Sequence, residues 1–276
     1  SRLLMLLVPE QFNLQTQRDL AKRLAPGLLC AEVMSFNILA REVFREVGKR
    51  EATVVEDLER MIILKRVVED HRKEIVFYKK NLQNTGFLES MNRFITVLEQ
   101  AGLSHHELQE MRRHEKSGVL FESKLADIDT IYEAFNQYLG EHFVTIEKNM
   151  TLLAEVIGQS KKLEQTHLWI DGFYGFTHTQ LLIIRELMKK VKSLTITLPM
   201  DQKYTKNQGI RPSHPFFESI LTMQKIMGIC EEEQKKSEVI LMQLPESVKE
   251  KKASELAYLE SQYLSPYIKP YKGEVE

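Results

Sequence analysis

The sequence is poor in the residue types that several specialised protein classes require. Two cysteines, Cys30 and Cys230, are too few for a disulfide framework, a four-thiolate zinc site or an iron–sulfur cluster, so a reducing compartment is expected. The formal charge is −1, from 38 Lys and Arg against 39 Asp and Glu, which excludes an indiscriminately basic nucleic-acid coat. No apolar run approaches the roughly 18 residues that span a membrane. These absences predict an ordinary cytoplasmic globular protein without a membrane partner.

The short motifs of nucleotide-binding proteins and hydrolases are also missing. The sequence contains neither G-x-x-x-x-G-K-[ST] nor G-x-G-x-x-G, and it has no G-x-S-x-G nucleophile elbow. Gly172 and Gly175 follow a predicted strand, but this loop has no lysine and carries aromatic side chains where a phosphate would need space. No catalytic residue is therefore assigned.

The hydrophobic pattern predicts an α/β fold. Residues 3–8 form a continuous apolar run that predicts a strand buried on both faces of a parallel sheet. A helix over 11–24, a strand over 30–34 and a helix over 36–47 follow. From 55 to 139 every apolar pattern has helical spacing, which indicates an inserted helical subdomain.

The α/β pattern then resumes. We expect a strand at 167–170, a helix that begins at a Thr177 and Gln180 capping box, a strand at 194–198, a helix at 215–230 and a strand at 239–244. The resulting domain organisation is an α/β domain over 1–54 and 141–263, a helical insertion over 55–140 and a departing segment over 264–276. The chain opens with Ser1 two residues before a strand, which we interpret as a start inside a larger protein.

One histidine cluster is a candidate metal site. His106, Glu110 and His114 share a helix face, but a zincin helix needs histidine where Glu110 stands. A solvated, charged helix end is favoured, and no metal is assigned.

Asp171 ends the strand at 167–170, the position at which a Walker B aspartate holds Mg²⁺ near a nucleotide. The next residue is Gly172, where a hydrolysing enzyme usually has a second acidic residue. A vestigial nucleotide and magnesium site and a purely structural aspartate both remain open.

Two loops follow the first two predicted strands, where ligands bind in open parallel sheets. They carry amide, hydroxyl and aromatic side chains suited to contacts with single-stranded nucleic acid, and Arg41 adds a cation beside them. An alternative is that Phe36 packs as a hydrophobic staple and that Gln11 or Asn13 starts a helix. The candidate DNA-binding residues are Gln11, Phe12, Asn13, Ser35, Phe36, Asn37 and Arg41.

Four segments together resemble a known family. They are LLVPEQF at 6–12, VMSFNILAR at 33–41, KLADIDTIY at 124–132 and WIDGFYGFT at 169–177. Their order and spacing are similar to those of the AddB (RexB) components of bacterial AddAB helicase–nucleases, the counterparts of RecBCD, and the resemblance extends over nearly the whole chain.

The resemblance implies a superfamily 1 helicase-like, P-loop-type sheet as subdomain 1A, with the insertion as subdomain 1B. The resemblance also implies that the chain contacts the unwound 3′-ended DNA strand and scans it for a recombination hotspot. It further implies that an AddA-type motor subunit is its partner in double-strand-break repair.

Three departures limit what the resemblance implies. The family's phosphate-binding loop would precede Leu3, and the nuclease with its four-cysteine iron–sulfur cluster is absent, so no cofactor is expected here. ATP, Mg²⁺ and the cluster would belong to a full-length parent. Ile38 and Arg41 stand where hotspot-reading members have a basic and an aromatic residue. An alternative function is an interaction scaffold, in which the helical insertion docks the motor subunit and DNA contact is incidental.

Overall fold

The structure, a computed structural model, describes residues 3–24, 31–49, 53–114, 118–140, 143–200, 211–242, 253–263, 267 and 269–273, and in 111–114 the backbone alone. The chain divides into two compact units, residues 1–235 and 236–276. The elements of the first unit, apart from short 3₁₀ turns at Glu10–Phe12 and Ile157–Gln159, are β1 (Leu3–Leu7), α1 (Asn13–Arg23), β2 (Ala31–Met34), α2 (Phe36–Glu46), β3 (Thr53–Val54), α3 (Asp57–Asp70), α4 (Thr85–Gln100), α5 (His105–His114), α6 (Val119–Leu139), β4 (Phe143–Val144), α7 (Ile146–Val156), α8 (Lys161–Glu164), β5 (Thr166–Ile170), α9 (His178–Lys190), β6 (Ser193–Ile196) and α10 (Phe217–Glu232).

The predicted α/β class with a parallel sheet is confirmed. Four parallel strands lie in the order β2-β1-β5-β6, and β3 pairs in parallel with β4 as a separate two-stranded sheet. One face of the larger sheet, which includes Met5, Leu7, Leu168 and Ile170, packs with residues of α2, α7 and α9 into one hydrophobic cluster. A second cluster gathers buried side chains between Val55 and Leu139 from α3, α4, α5 and α6.

Local sequence explains where several helices begin. The predicted capping box is present, because the Thr177 hydroxyl accepts a hydrogen bond from the Gln180 backbone N–H at 3.3 Å and the Gln180 side chain accepts one from the Thr177 N–H at 2.9 Å. Glu56 and Glu59 form a second capping box at the start of α3.

Two predictions about strands are wrong. Leu3–Leu7 is not buried on both faces, because Leu4 is 41% exposed and Trp169 on the adjacent β5 is 46% exposed. Residues 239–242 form no strand, and their four apolar side chains are 45–83% exposed. The apolar run has strand propensity, but a strand also needs a hydrogen-bonding neighbour. The predicted start of β2 at Cys30 and residues 243–244 lie outside the described part of the chain.

A buried polar network joins the helical cluster to α7. Arg60 on α3 is 3% exposed, and its guanidinium donates to Asn92 at 3.0 Å, Glu99 at 3.0 Å and Thr96 at 3.1 Å, all on α4. Glu99 also accepts a hydrogen bond at 2.9 Å from Thr145, which caps α7. Burial raises the pKa of Glu99, against the opposing effect of Arg60 and Thr145.

The second unit contains α11 (Ser254–Gln262), which has no buried residue. The Tyr258 ring lies 5.3 Å from that of Tyr271, and its hydroxyl donates to the carbonyl of Lys269 at 2.8 Å. This short helix is therefore held by the segment that follows it.

Candidate nucleic-acid interface

The segments that follow β1 and β5 each begin with a hydrogen bond to the last residue of the neighbouring strand, at the carboxyl edge of the sheet. The Val8 N–H donates to the carbonyl of Met34 at 3.0 Å, and the Asp171 N–H donates to that of Leu7 at 2.9 Å. We call residues 8–13, 35–37 and 171–177 the loop edge. Parallel strands bring their carboxyl ends to one side of the sheet, which is why segments far apart in sequence meet there.

The first segment exposes two of its three candidate residues. Gln11 and Phe12 lie in the 3₁₀ turn that precedes α1, and Phe12 is 47% exposed. Asn13 is only 8% exposed, and its side-chain oxygen accepts a hydrogen bond from Gln17 at 2.8 Å. Gln11 and Phe12 can therefore reach a ligand, whereas Asn13 orders the first turn of α1.

The second segment starts α2. Ser35 is its N-cap, and its hydroxyl accepts a hydrogen bond from the Ile38 N–H at 3.4 Å, while the residue is 2% exposed. Asn37 is exposed and donates to the Glu10 carboxylate at 3.2 Å, which links the first two segments. Ser35 therefore acts as the N-cap of α2, and Asn37 faces solvent.

Of the two interpretations of Phe36, the structure favours packing. Phe36 is 6% exposed and belongs to the sheet cluster. Its ring meets that of Phe173 edge to face at 5.7 Å, and Phe173 lies 5.1 Å from Phe176. Phe36 is the first residue of α2, so its side chain turns toward the sheet and binds the second and third segments together. It cannot stack on a base without unpacking this cluster.

The third segment makes a tight turn after β5. Gly172 has φ of +82°, and a Cβ at this position would lie 3.3 Å from Pro9 Cδ in the first segment. The Thr197 hydroxyl donates to the Asp171 carboxylate beside it. The Asp171 carboxylate thus has a hydrogen-bond partner directly after β6, and a vestigial nucleotide and magnesium site at this position stays a prediction.

Tyr174 is an exposed aromatic residue that sequence reasoning did not select. It is 67% exposed, whereas its neighbours Phe173 and Phe176 pack against the sheet cluster. Its backbone carbonyl accepts a hydrogen bond from Thr222 of α10 at 3.3 Å. In the sequence, Gly172 and Gly175 flank Phe173 and Tyr174. This pattern predicts a turn, but it does not indicate which of the two rings faces solvent.

Two arginines lie on the exposed side of α2. Arg41 is exposed, one turn after Asn37. Arg45, one turn further, pairs with Glu42 at 2.9 Å. Arg41 is therefore the cation closer along the helix to the loop edge, and Arg45 offers a matched comparison on the same helix.

Among the described residues, no group of three or more His, Cys, Asp or Glu side chains could hold a metal ion. His106 Nδ1 lies 3.8 Å from Glu110 Oε1, and the two side chains are 76% and 55% exposed. The His114 side chain lies outside the described part of the chain.

In the part of the chain that the structure describes, no helix is long and apolar enough to cross a membrane.

Comparison with known proteins identifies relatives of this chain. Residues 1–260 match the family model described as ADDB, N-terminal. A protein of Lachnoclostridium phytofermentans, named as a subunit of an ATP-dependent helicase/deoxyribonuclease, is 37% identical over 199 residues, which cover 72% of this chain and 17% of that protein. A protein of the same name from Alkaliphilus oremlandii is 34% identical over 274 residues, 99% of this chain and 24% of that protein. The chain thus spans less than a quarter of these relatives, and it belongs to the AddB N-terminal family.

Proposed function

We propose that this chain is a helicase-like, non-catalytic module that contacts a single DNA strand along the loop edge. The observation that carries the proposal is the convergence of three segments, linked by the Asn37–Glu10 hydrogen bond and the Phe36–Phe173 contact, at the side of the sheet where ligands bind. The side chains exposed there or one turn away on α2 include two amides, two aromatic rings and one cation, which suit contacts with unpaired nucleotides. They are Gln11, Asn37, Phe12, Tyr174 and Arg41, and the carboxylates of Glu10 and Asp171 are exposed beside them.

Each exposed group has a distinct role in this proposal. The rings of Phe12 and Tyr174 stack on bases, a contact worth about 1–3 kcal/mol per base. Gln11 and Asn37 hydrogen-bond base edges or sugars, and Arg41 binds a phosphate. The buried candidates Asn13, Ser35 and Phe36 hold the segments in place and do not touch DNA.

The relatives' name extends the proposal to the whole protein. Within an AddB-type subunit, we assign this chain to a P-loop-type, superfamily 1 helicase-like region that scans the unwound strand for a hotspot in the cytoplasm during double-strand-break repair. An AddA-type subunit supplies the motor. The chain itself needs no cofactor, while ATP, Mg²⁺ and the iron–sulfur cluster act elsewhere in the complex.

Fluorescence anisotropy with a labelled single-stranded oligonucleotide tests this assignment. Tyr174→Ala weakens binding by about 1–3 kcal/mol because it removes one stacked base. Arg41→Ala weakens it as well, whereas Arg45→Ala on the same helix leaves it nearly unchanged. Equal affinities of the Arg41 and Arg45 variants, together with an unaffected Tyr174→Ala, would rule out the loop edge as the DNA site.

A second candidate function is favoured by the start of α6. Val119, Leu120 and Phe121 are 85%, 64% and 44% exposed, three consecutive apolar side chains on the helical subdomain. Such a patch suits docking to the motor subunit. If Leu120→Glu abolishes capture of the AddA-type motor while DNA binding is retained, the result would support this scaffold role.

A further inference from the structure

Within the part of the chain that the structure describes, one face of the four-stranded sheet lacks a complete helical layer. Along β5 the side chains alternate, so that Thr166, Leu168 and Ile170 are buried while Trp169 is 46% exposed. The strand register sets Leu6, Trp169 and Thr195 side by side on the same face. We call this surface the open face, and it consists of Leu4, Leu6, His167, Trp169, Ser193 and Thr195.

On this face, helix α1 covers the edge strand β2. Gln17 of α1 donates to the carbonyl of Val33 in β2 at 3.3 Å, and Val33 is 8% exposed. On β1, the next strand, Leu4 is 41% exposed. The opposite face, in contrast, packs with α2, α7 and α9. Exposure therefore increases from β2 toward the centre of the sheet.

This pattern is unusual for parallel strands, which are normally covered by helices on both faces. The open face also has the composition of a contact surface. Its centre holds Leu6 and Trp169, and tryptophan is among the residue types most enriched at interface hot spots. At its amino end His167 and Ser193 are hydrogen-bonded at 2.7 Å, which supplies a polar rim.

The dimensions indicate what fits there. Three strands spaced about 4.8 Å apart present a surface about 10 Å wide. An α-helix with its side chains is about 10–12 Å in diameter, so one helix laid along the strands covers β1, β5 and β6.

We propose that the open face seats one amphipathic α-helix from the remaining polypeptide of the same subunit. The Alkaliphilus oremlandii relative aligns with 99% of this chain, and the aligned region is 24% of the relative's own length. About three-quarters of such a subunit therefore lies outside these residues. A helix of the same polypeptide reaches the face at high effective concentration, which a separate partner does not. Its apolar stripe covers Leu4, Leu6 and Trp169, and its polar residues meet His167 and Ser193.

The test compares substitutions in the 276-residue chain and in the full-length subunit. Trp169→Glu is the main variant, Trp169→Thr keeps a strand-forming residue at the same position, and Leu58→Glu is the matched control because Leu58 is 74% exposed on α3. In the 276-residue chain we expect all three to shift the thermal midpoint equally little. In the full-length subunit we expect both Trp169 variants to speed limited proteolysis about tenfold over Leu58→Glu, because an opened helix is cleaved in proportion to its population.

Three results would overturn the proposal. Equal proteolysis of the Trp169 and Leu58 variants in the full-length subunit would mean that no helix covers the face. Concentration-dependent dimerisation of the 276-residue chain that Trp169→Thr abolishes would identify a second copy as the occupant. Protection of Trp169, the single tryptophan of the chain, from acrylamide quenching by an oligonucleotide would identify nucleic acid.

Discussion

Phe36 and Tyr174 are aromatic residues of the same edge with opposite surroundings. Phe36 is enclosed by the sheet cluster and by the Phe173 ring, whereas Tyr174 is held by its backbone and leaves its ring in solvent. A ring that already packs on protein has no free face for a base. At the residue scale, burial therefore assigns Phe36 to stability and Tyr174 to binding.

Phe36→Ala should lower the free energy of unfolding by about 3–5 kcal/mol, because it removes a large buried side chain and leaves a cavity. Tyr174→Ala should change it by less than about 0.5 kcal/mol. Chemical denaturation measures both. A neutral Phe36→Ala would contradict its place in the core.

Gly172→Ala should destabilise the chain by about 1–2 kcal/mol, because a side chain at φ of +82° is strained and its Cβ would press on Pro9. Gly158→Ala is the control, since Gly158 has no positive φ and no atom within 4 Å of an added Cβ. The difference between their denaturation midpoints reports the strain, and equal midpoints would show that the turn relaxes at no cost.

At the scale of elements, two carboxylates fix the ends of helices. Glu99 joins α4 to the Thr145 cap of α7 through the Arg60 network. Glu46, at the end of α2, accepts hydrogen bonds from the Ser160 hydroxyl at 2.5 Å and from the N–H groups of Lys161 and Lys162, the first residues of α8. In both cases the carboxylate of one helix accepts hydrogen bonds from hydroxyl or backbone N–H groups at the start of another.

Arg60→Ala should cost about 3–5 kcal/mol of stability, because it leaves Glu99 buried without its cation. Arg66→Ala on the same helix is the control, since Arg66 pairs with Asp70 at an exposed position and should cost less than about 1 kcal/mol. Urea denaturation distinguishes them. Similar losses for the two variants would contradict the role of the buried network.

The Glu46 contacts predict a dependence on pH. Partial burial opposes ionisation, but the Ser160 hydroxyl and the backbone N–H groups outweigh it and lower the pKa of Glu46 in the folded chain. The stability that Glu46 contributes is therefore present above its unfolded pKa and is lost as the pH falls through the lowered folded pKa.

Glu46→Gln should lower stability at neutral pH, and its difference from the unsubstituted chain should shrink in acid. Unfolding titrations at stepwise lower pH measure this. Glu42→Gln is the control, because Glu42 lies one turn earlier on α2 and pairs with the exposed Arg45. A difference that stays constant with pH would show that the hydrogen bonds do not depend on the charge of Glu46.

At the scale of the whole molecule, the net charge of −1 limits non-specific binding. If the loop edge binds DNA, few phosphates are neutralised and the salt dependence of affinity should be shallow. Local placement of a cation therefore matters more than total charge.

Arg41→Ala should reduce the slope of log affinity against log salt by about 0.7, the value for one phosphate contact on a single strand. Anisotropy titrations over a range of salt concentrations give the slope, with Arg45→Ala as the control. An unchanged slope for Arg41→Ala would remove Arg41 from the phosphate contacts.

Hydrophobic periodicity and end signals predict most of the elements and the α/β class. The Thr177 capping box, the first strand–helix–strand–helix series and the all-helical stretch are encoded within short windows, because a cap or an amphipathic face depends on residues three or four positions apart. The site residues are predicted as segments, since the ends of parallel strands meet at one edge.

What the sequence by itself determined is therefore most of the elements, two of the three segments of the loop edge and the family resemblance. Tertiary structure alone decided that Phe36 is buried and Tyr174 exposed, that Arg60 lies inside a network, and that residues 239–242 form no strand. It also decided that Trp169 is 46% exposed on the open face of the sheet. The physical reason is that periodicity shows which side chains share a face, whereas burial depends on which distant element covers that face.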